Sequence, residues 1–436
     1  MDYEQRVAAL FERHRSVQTA GFSGDAYKPG LGGMMRLDAF LRHPHSRYPS
    51  VHVAGTNGKG SVCSMIAAAL AAAGLRVGLY TSPHLLDFRE RMKLVSADGW
   101  SMPSREDVCE FLDLTEGGPF DKLSFFEITT GLAFWWFRRQ KVDAAVIETG
   151  LGGRLDSTNI ITPQLAVVTS IGLDHCDLLG PTREAIAAEK AGIFKPGIPA
   201  LVWGRDDETQ PVFERAAAGM SPLFYAEDFE IPGQTGDDTT ETINRRTASA
   251  ALELLKGILP SDRSAFTEYR QLTGFRARWE IIRQNPLTIV DIGHNSPALA
   301  ANFARLGAMR LNPSGDGCLR TPLALTNRGP ETTISRSIKR PLLIVYGAMA
   351  DKDVDSIVSL MPKDASYHLV APHTPRAMRT CVLALKLKNL NFTCHDSVEE
   401  GVAAALSEAA TLTQPIVYIG GSTYVAAEAI SYLERI

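Results

Sequence analysis

The chain has 436 residues, 45% of them apolar and 22% charged, with a formal net charge of −4. That length predicts two or three domains rather than one core, and the mild acidity excludes bulk nucleic-acid binding through a basic face. No apolar run reaches a membrane span, the Met1-Asp-Tyr-Glu-Gln start is no secretory leader, and six scattered cysteines without a C-x-x-C read as reduced, cytoplasmic thiols.

In chain order, the first strong signal is Val-His-Val-Ala-Gly-Thr-Asn-Gly-Lys-Gly-Ser at 51–61, followed by a small-residue helix predicted from Cys63 to Ala73. Strand, glycine turn and helix N-terminus together make a phosphate cradle. Glycines let backbone N–H groups close around oxygens, and the helix dipole favours the anion. Lys59 would reach the terminal phosphates, and Ser61 would hold Mg2+. The ordinary G-x-x-x-x-G-K-[ST] spacing is not met, because Val53 and Gly60 stand where it needs Gly and Ser or Thr. A plain Gly/Ser surface turn is the alternative.

Further along, Leu75–Tyr80, Val142–Ile147 and Leu165–Ser170 read as buried strands. They run into Thr81-Ser82-Pro83-His84, Glu148 with Gly150-Leu151-Gly152-Gly153, and Gly172-Leu173-Asp174-His175. Glu127–Arg139 and Arg183–Gly192 read as helices between them. Such alternation argues an α/β fold with a parallel, doubly wound sheet and ligands at the C-terminal strand ends. A polar loop is expected at Pro232–Thr242 and a helix at Ile243–Ile258. A second α/β series follows at Leu287–Asp291, Leu342–Gly347, Tyr367–Ala371, Phe392–His395 and Ile416–Gly420. The junction is placed near Leu272–Asn285, giving domains at 1–274 and 275–436, with residues 311–340 as a long insertion in the second.

Glu148 ends its apolar strand as the acid of a Walker-B-like element does, and Ser61, Ser82 and His175 sit at three other strand-to-loop turns. Oxygen donors with few protein ligands suit Mg2+. Taken singly, Glu148 also reads as a capping or ion-paired acid and His175 as a structural histidine. His175-Cys176 does not read as a zinc pair, because adjacent side chains diverge; Cys176 is expected as a buried thiol.

Gly55-Thr-Asn-Gly-Lys-Gly-Ser61 resembles the P-loop variant of the Mur ligase superfamily, and its Lys-Gly-Ser ending resembles the folate branch, folylpolyglutamate synthase and dihydrofolate synthase. Similar to that family's signatures are Thr81-Ser-Pro-His-Leu85 with Glu90-Arg91, Glu148 through Asn159, Thr169 through His175, and Ala187-Ala-Glu-Lys-Ala-Gly-Ile193. Landmarks continue through Gly347–Asp353 to Gly421-Ser422, so the resemblance covers nearly the whole chain. It implies a P-loop-containing, parallel-sheet ATP-binding domain followed by a smaller Rossmann-like α/β domain.

The resemblance also implies roles. Thr56, Asn57, Gly58, Lys59, Gly60 and Ser61 would bind ATP, and Ser61, Ser82, Glu148 and His175 would hold Mg2+, two ions in all. Lys190 matches a lysine that these ligases carbamylate with CO2 to help hold the second ion; an unmodified Lys190 on a phosphate is the alternative. Lys59, His175 and Lys190 form the catalytic set. Asn244 matches an adenine-contacting asparagine, and Arg278 an arginine usually preceded by glycine, where this chain has Ala277. Asp291 and His294 match the pair that approaches the nucleotide, with Gly293 in place of an alanine. Phe125, Phe126 and Glu127, with Leu155, Asp156 and Ser157, match the pterin pocket, to which Lys28-Pro-Gly-Leu-Gly32 is added; the two phenylalanines also read as core.

The implied activity is ATP-dependent addition of L-glutamate to a folate-type acceptor, tetrahydrofolate or dihydropteroate, through an acyl phosphate. The second domain is expected to close over that intermediate. Partners would be these small molecules, without nucleic acid or membrane, and the chain a cytoplasmic monomer. Another Mur-superfamily amino-acid ligase, a P-loop NTPase switch and an inactive binding module are the alternatives.

Overall fold

A computed structural model describes residues 2–14, 30–230, 239–311 and 339–436. Lys28 and Pro29, most of the polar loop at 232–242, Cys318 and nearly all of the 311–340 insertion lie outside the described residues. The chain divides into two compact units, Met1–Arg276 and Ala277–Ile436.

The first unit is built on eight strands: β1 (Ser50–Ala54), β2 (Val77–Tyr80), β3 (Met92–Ser96), β4 (Gly99–Ser101), β5 (Ala144–Glu148), β6 (Leu165–Val168), β7 (Ala200–Val202) and β8 (Leu223–Tyr225). Their order is β4-β3-β2-β5-β1-β6-β7-β8. From β2 to β8 all neighbours run parallel. Strands β3 and β4 make an antiparallel edge that the sequence reading does not contain. Met92–Ser101 is short and mixed in polarity, so its pairing comes from docking on β2 rather than from local pattern.

Both faces of the central strands are covered. Helix α1 (Lys59–Ala72) lies on one face, where its Gly60–Ala71 stretch is buried all round. Its small side chains admit Ala248, Ala250 and Ala251 of a second helix, Thr240–Leu254, into the core formed by Val51 and Val53 of β1. On the other face a helix at Phe125–Arg139 packs Phe134, Trp136 and Phe137 against Tyr80 and Ile147. Each fully buried Val, Leu, Phe or Met side chain contributes about 1.5–3 kcal/mol relative to exposure, so strands buried on both faces are favoured here. Helix α1 starts at Lys59, four residues before the predicted start. Gly58 takes the cap position in the left-handed region (φ 87°), so the free N–H groups of the first turn belong to the phosphate-loop residues themselves.

The second unit holds a six-stranded sheet of β9 (Glu280–Gln284), β10 (Leu287–Val290), β11 (Leu342–Tyr346), β12 (Ser366–Leu369), β13 (Asn391–Cys394) and β14 (Ile416–Gly420). The order is β13-β12-β11-β14-β10-β9, parallel except for β9 against β10. The five parallel strands are those of the predicted series; β9, polar and half-exposed, is again an edge that the pattern does not reveal. Among the described residues no helix is long and apolar enough to cross a membrane.

At the start of this unit, Ala277 and Trp279 both have left-handed backbones, φ 55° and 52°. The Ala277 carbonyl accepts from Ile292 N at 3.0 Å, which fixes that bend. A non-glycine residue in this region costs about 1–2 kcal/mol, whereas glycine loses roughly 0.5–1 kcal/mol more backbone entropy on folding. Ala277→Gly is therefore expected to stabilise the protein by about 0.5–1 kcal/mol. Denaturant melts check this, and an unchanged or lower midpoint would mean that the buried Ala277 methyl contributes as much as the bend costs.

Candidate active site

The parallel registers place four strand ends side by side. Val53 of β1 pairs with Glu148 of β5 on one side and with Val167 of β6 on the other, while Tyr80 of β2 pairs with Ile147. The segments holding Ser82, Glu148, residues 55–61 and residues 169–175 therefore leave the sheet in one row. Cross-bonds tie them together. Thr56 N donates to Ser170 O at 2.8 Å, the Thr169 hydroxyl to Asn57 O at 2.7 Å, and the Thr56 hydroxyl to Gly172 O at 3.1 Å. Ser82 N donates to Glu148 Oε2 at 3.1 Å.

Two lysines converge on the mouth of the loop. Lys59 Nζ donates to Gly55 O at 3.0 Å and Thr56 O at 3.3 Å, and stands 4.0 Å from Glu148 Oε1. Lys190 Nζ donates to the same Gly55 O at 2.8 Å from a fully buried position. Burial and the neighbouring Lys59 push the Lys190 ammonium down to about 7, against the pull of Asp174 and Asp156. Glu148, buried between these groups, is the carboxylate nearest the loop lysine. A side chain at Gly58 would overlap the Asn244 carboxamide, so Asn244 lies against the phosphate loop. Ser61 is buried in the first turn of α1. His175 opens the short helix Cys176–Leu179 with a left-handed backbone, its N–H on Asp174 Oδ1 at 3.0 Å and its ring 3.7 Å from Asp174 Oδ2. Cys176 is half-buried rather than buried as expected.

The loop after β5 is a platform for Lys190. Arg154 N donates to Glu189 O at 2.8 Å, and Asn159 Nδ2 donates to Arg154 O and Gly192 O at 3.0 Å each. Gly153 lets the two backbones meet: a Cβ there would sit 2.8 Å from both the Glu189 and Lys190 carbonyl oxygens. Asp156 shapes the same loop from within. It accepts from Gly150 N, Leu151 N and Thr158 N at 2.8–3.0 Å and from the Thr158 hydroxyl at 2.5 Å. Burial nonetheless raises its pKa.

The residues expected at the acceptor pocket are held as follows. Asp156 has its oxygens hydrogen-bonded within the loop after β5. Glu127 is likewise a capping acid: Ser124 N and the Ser124 hydroxyl donate to its Oε2 at 2.7 and 2.9 Å, opening the Phe125–Arg139 helix. Phe125 belongs to the core, stacked on Phe11 at 4.6 Å with the Arg91 guanidinium 5.1 Å from its ring centre. Phe126 differs. It is half-buried, lies over Gly150 and is 6.0 Å from the Tyr80 ring, which leaves an aromatic face beside the strand ends. Leu155 is half-buried and Ser157 buried in the turn that follows. Gly32 starts a helix to Phe40.

In the second unit Asp291 is also committed. Trp279 N, Gly293 N and Asn302 Nδ2 each donate to it at 2.7 Å. A methyl at Gly293 would lie 2.7 Å from Asp291 Oδ1, so the departure from alanine matches this carboxylate's position. His294 is half-buried with Nδ1 3.1 Å from Ile292 O, and Arg278 is half-buried between the two left-handed residues.

The donors fit a hard cation. Glu148 offers a carboxylate at a strand end, and Ser61 and Ser82 add hydroxyl oxygens from neighbouring turns. Among the described residues no cluster of three His, Cys, Asp or Glu side chains makes a complete cage. A carboxylate, hydroxyls, phosphate oxygens and water are the shell that Mg2+ prefers.

Several residues escape the sequence reading. Glu90 gathers three amides, Leu85 N, Leu86 N and Asp87 N, at 2.7–2.9 Å, and Arg91 Nε donates to His84 Nδ1 at 3.0 Å, which sets the Ser82 loop. Their motif was visible, but not this task. Lys93 and Phe275 gave less signal: a single charge in a short strand and an aromatic within the junction.

Comparison with known proteins finds relatives with this fold. A family model described as the Mur ligase middle domain matches residues 122–246. The folylpolyglutamate synthase of Lacticaseibacillus casei is 31% identical over 460 residues, covering 98% of this chain and 97% of that protein. The structure of Escherichia coli FolC in complex with DHPP and ADP matches with a TM-score of 0.79 at 26% identity, over 100% of this chain and 98% of that one. The bifunctional folylpolyglutamate synthase/dihydrofolate synthase of Yersinia pestis, complexed with AMPPNP and Mn ion, gives 0.80 at 27% identity over the same shares.

Because Gly153 permits the approach of two backbones, Gly153→Ala is expected to cost about 1–3 kcal/mol of stability through overpacking. It should also displace Lys190. Thermal melts with turnover measurements check this, and parental values in both would show that the loop and helix can part without consequence.

Proposed function

Since this chain belongs to the folylpolyglutamate synthase and dihydrofolate synthase family of Mur-type ligases, we propose that it adds L-glutamate to a folate-type acceptor in an ATP-dependent reaction. Tetrahydrofolate and dihydropteroate are the two acceptors in view. The observation that carries this reading is the row of four adjacent strand ends, with Lys59 of the phosphate loop 4.0 Å from Glu148 and Lys190 on the loop's own Gly55 carbonyl.

In this reading the acceptor carboxylate attacks the γ-phosphorus of ATP, forming an acyl phosphate and releasing ADP. Free N–H groups of the first turn of α1 and the Lys59 ammonium hold the phosphate oxygens as charge moves to the leaving group. The glutamate amine then attacks the acyl carbon, and the tetrahedral intermediate collapses with loss of phosphate and a proton. Bound Mg2+ would neutralise charge on the transferring phosphoryl group, with Glu148, Ser61, Ser82 and His175 as the residues to hold it. Phe126 supplies the aromatic face for a flat acceptor ring. We take Lys190 to be carbamylated: the ammonium gives up one proton, the neutral amine nitrogen attacks CO2 and a second proton leaves to solvent, which turns a buried cation beside Lys59 into an anion able to help hold a second ion. The same reading makes the protein a cytoplasmic monomer with domains at 1–274 and 275–436, acting on small molecules.

ADP release measured with each acceptor, with and without glutamate, tests the proposal. Turnover is expected to need ATP, an acceptor and glutamate together; ADP formation indifferent to acceptor and glutamate would leave an NTPase instead. Glu148→Gln should lower turnover roughly 100-fold, the scale of losing one charge-stabilising group. For Lys190, 13C-bicarbonate should give a carbamate resonance that Lys190→Met abolishes. An active enzyme equilibrated with CO2 but lacking that resonance would sink the modification.

A further inference from the structure

The last residues of the first unit are fastened at three points. Lys93, buried on β3, donates from Nζ to Thr273 O at 2.9 Å and Gly274 O at 2.8 Å, the closing carbonyls of the short helix Tyr269–Thr273. The same ammonium lies 4.8 Å from the centre of the Trp100 ring, and the Trp100 indole fills the space that a side chain at Gly274 would need. Phe275 follows, its N–H on Arg270 O at 3.0 Å and its ring 6.0 Å from that of Tyr269. These anchors fix where the Phe275 ring goes.

It goes onto the phosphate loop. A Cβ built at Gly60 would lie 3.1 Å from Phe275 Cε2 and 3.6 Å from Glu148 Oε2. One side of Gly60 therefore looks at both the ring and the carboxylate. An ordinary phosphate loop carries Ser or Thr at this place. Here the ring takes that space, and the hydroxyl stands one residue later, at Ser61.

We propose that Phe275 is a positioning residue for the metal–nucleotide end of the site, acting through its ring on Gly60 and anchored by Lys93 and Trp100. The ring backs the Lys59-Gly60-Ser61 turn, so the amides, the Ser61 hydroxyl and Glu148 keep one spacing before any ligand arrives. A glycine at 60 would otherwise leave the first turn of α1 loose. The proposal rests on the ATP-dependent reading above, but it concerns nucleotide binding and can be read without ligation.

The test uses the full chain and Mn2+ with AMPPNP as the probe, followed by calorimetry and by thermal melts. Phe275→Ala should weaken binding of the pair roughly 10-fold, the scale of removing a group that supports a metal ligand. It should raise KM for Mg·ATP by a similar factor and leave KM for the acceptor unchanged. Phe275→Leu should recover most of the affinity. Gly60→Ala should weaken binding in the parent and do so markedly less in the Phe275→Ala background, because the ring it presses against is gone. Should Phe275→Ala fail to fold, Phe275→Leu with and without Gly60→Ala carries the same comparison. Parental affinity in the Phe275 variants despite a lower melting temperature would overturn the proposal, as would independent, multiplying effects of the two substitutions. Tight Mn·AMPPNP binding without any folate ligation would instead remove the proposed function and leave this coupling to be judged on its own.

Discussion

Strand β1 is hydrogen-bonded by parallel neighbours on both sides, and everything at the site follows from that. Parallel pairing sends β2, β5, β1 and β6 out of the sheet in one direction, so four loops must share one small region. Burial on both faces holds the strands in place, because each close-packed apolar side chain must fit the helix that covers it. Glu148 thereby comes to stand beside Val53, two residues before the phosphate loop begins. The loop after β1 then needs glycine to turn into α1, and the helix needs small side chains to stay packed while presenting its first amides.

Once the strand ends are gathered, buried and half-buried acids arrange the loops. Asp156, Glu90 and Asp291 each spend their oxygens on several backbone or amide N–H groups. A buried carboxylate without partners is costly, and amides of a tight loop are partners that water can no longer serve. Glu148 accepts from Ser82 N and faces the lysine of the phosphate loop.

The two lysines explain why the loop is electrostatically poised. Lys59 and Lys190 both donate to Gly55 O, and Lys59 raises the cost of charge on buried Lys190. An anion arriving at the loop amides relieves that repulsion. Holding Lys190 there requires its helix to press onto the loop after β5, which is why Gly153 stands at the contact and Arg154 and Asn159 hydrogen-bond across it.

The chain's own pattern determined the parallel strands, the phosphate loop and the identity of its charged residues, because apolar runs ending in glycine and a charge are local features. The antiparallel edges β3, β4 and β9 were not legible, since short strands of mixed polarity owe their pairing to a neighbour. The family resemblance named Phe125, Glu127 and Asp156, but only the fold shows that Phe125 stacks on Phe11, that Glu127 caps its own helix and that Asp156 accepts the N–H groups of its loop. Sequence can name a carboxylate or an aromatic ring but not count its partners, which lie up to 180 residues away, as Lys93 and Thr273 do. The chain by itself therefore fixed which chemistry is present. Tertiary structure alone decided which partners each group meets, because a buried polar group pairs with whatever donor or acceptor the fold brings within reach.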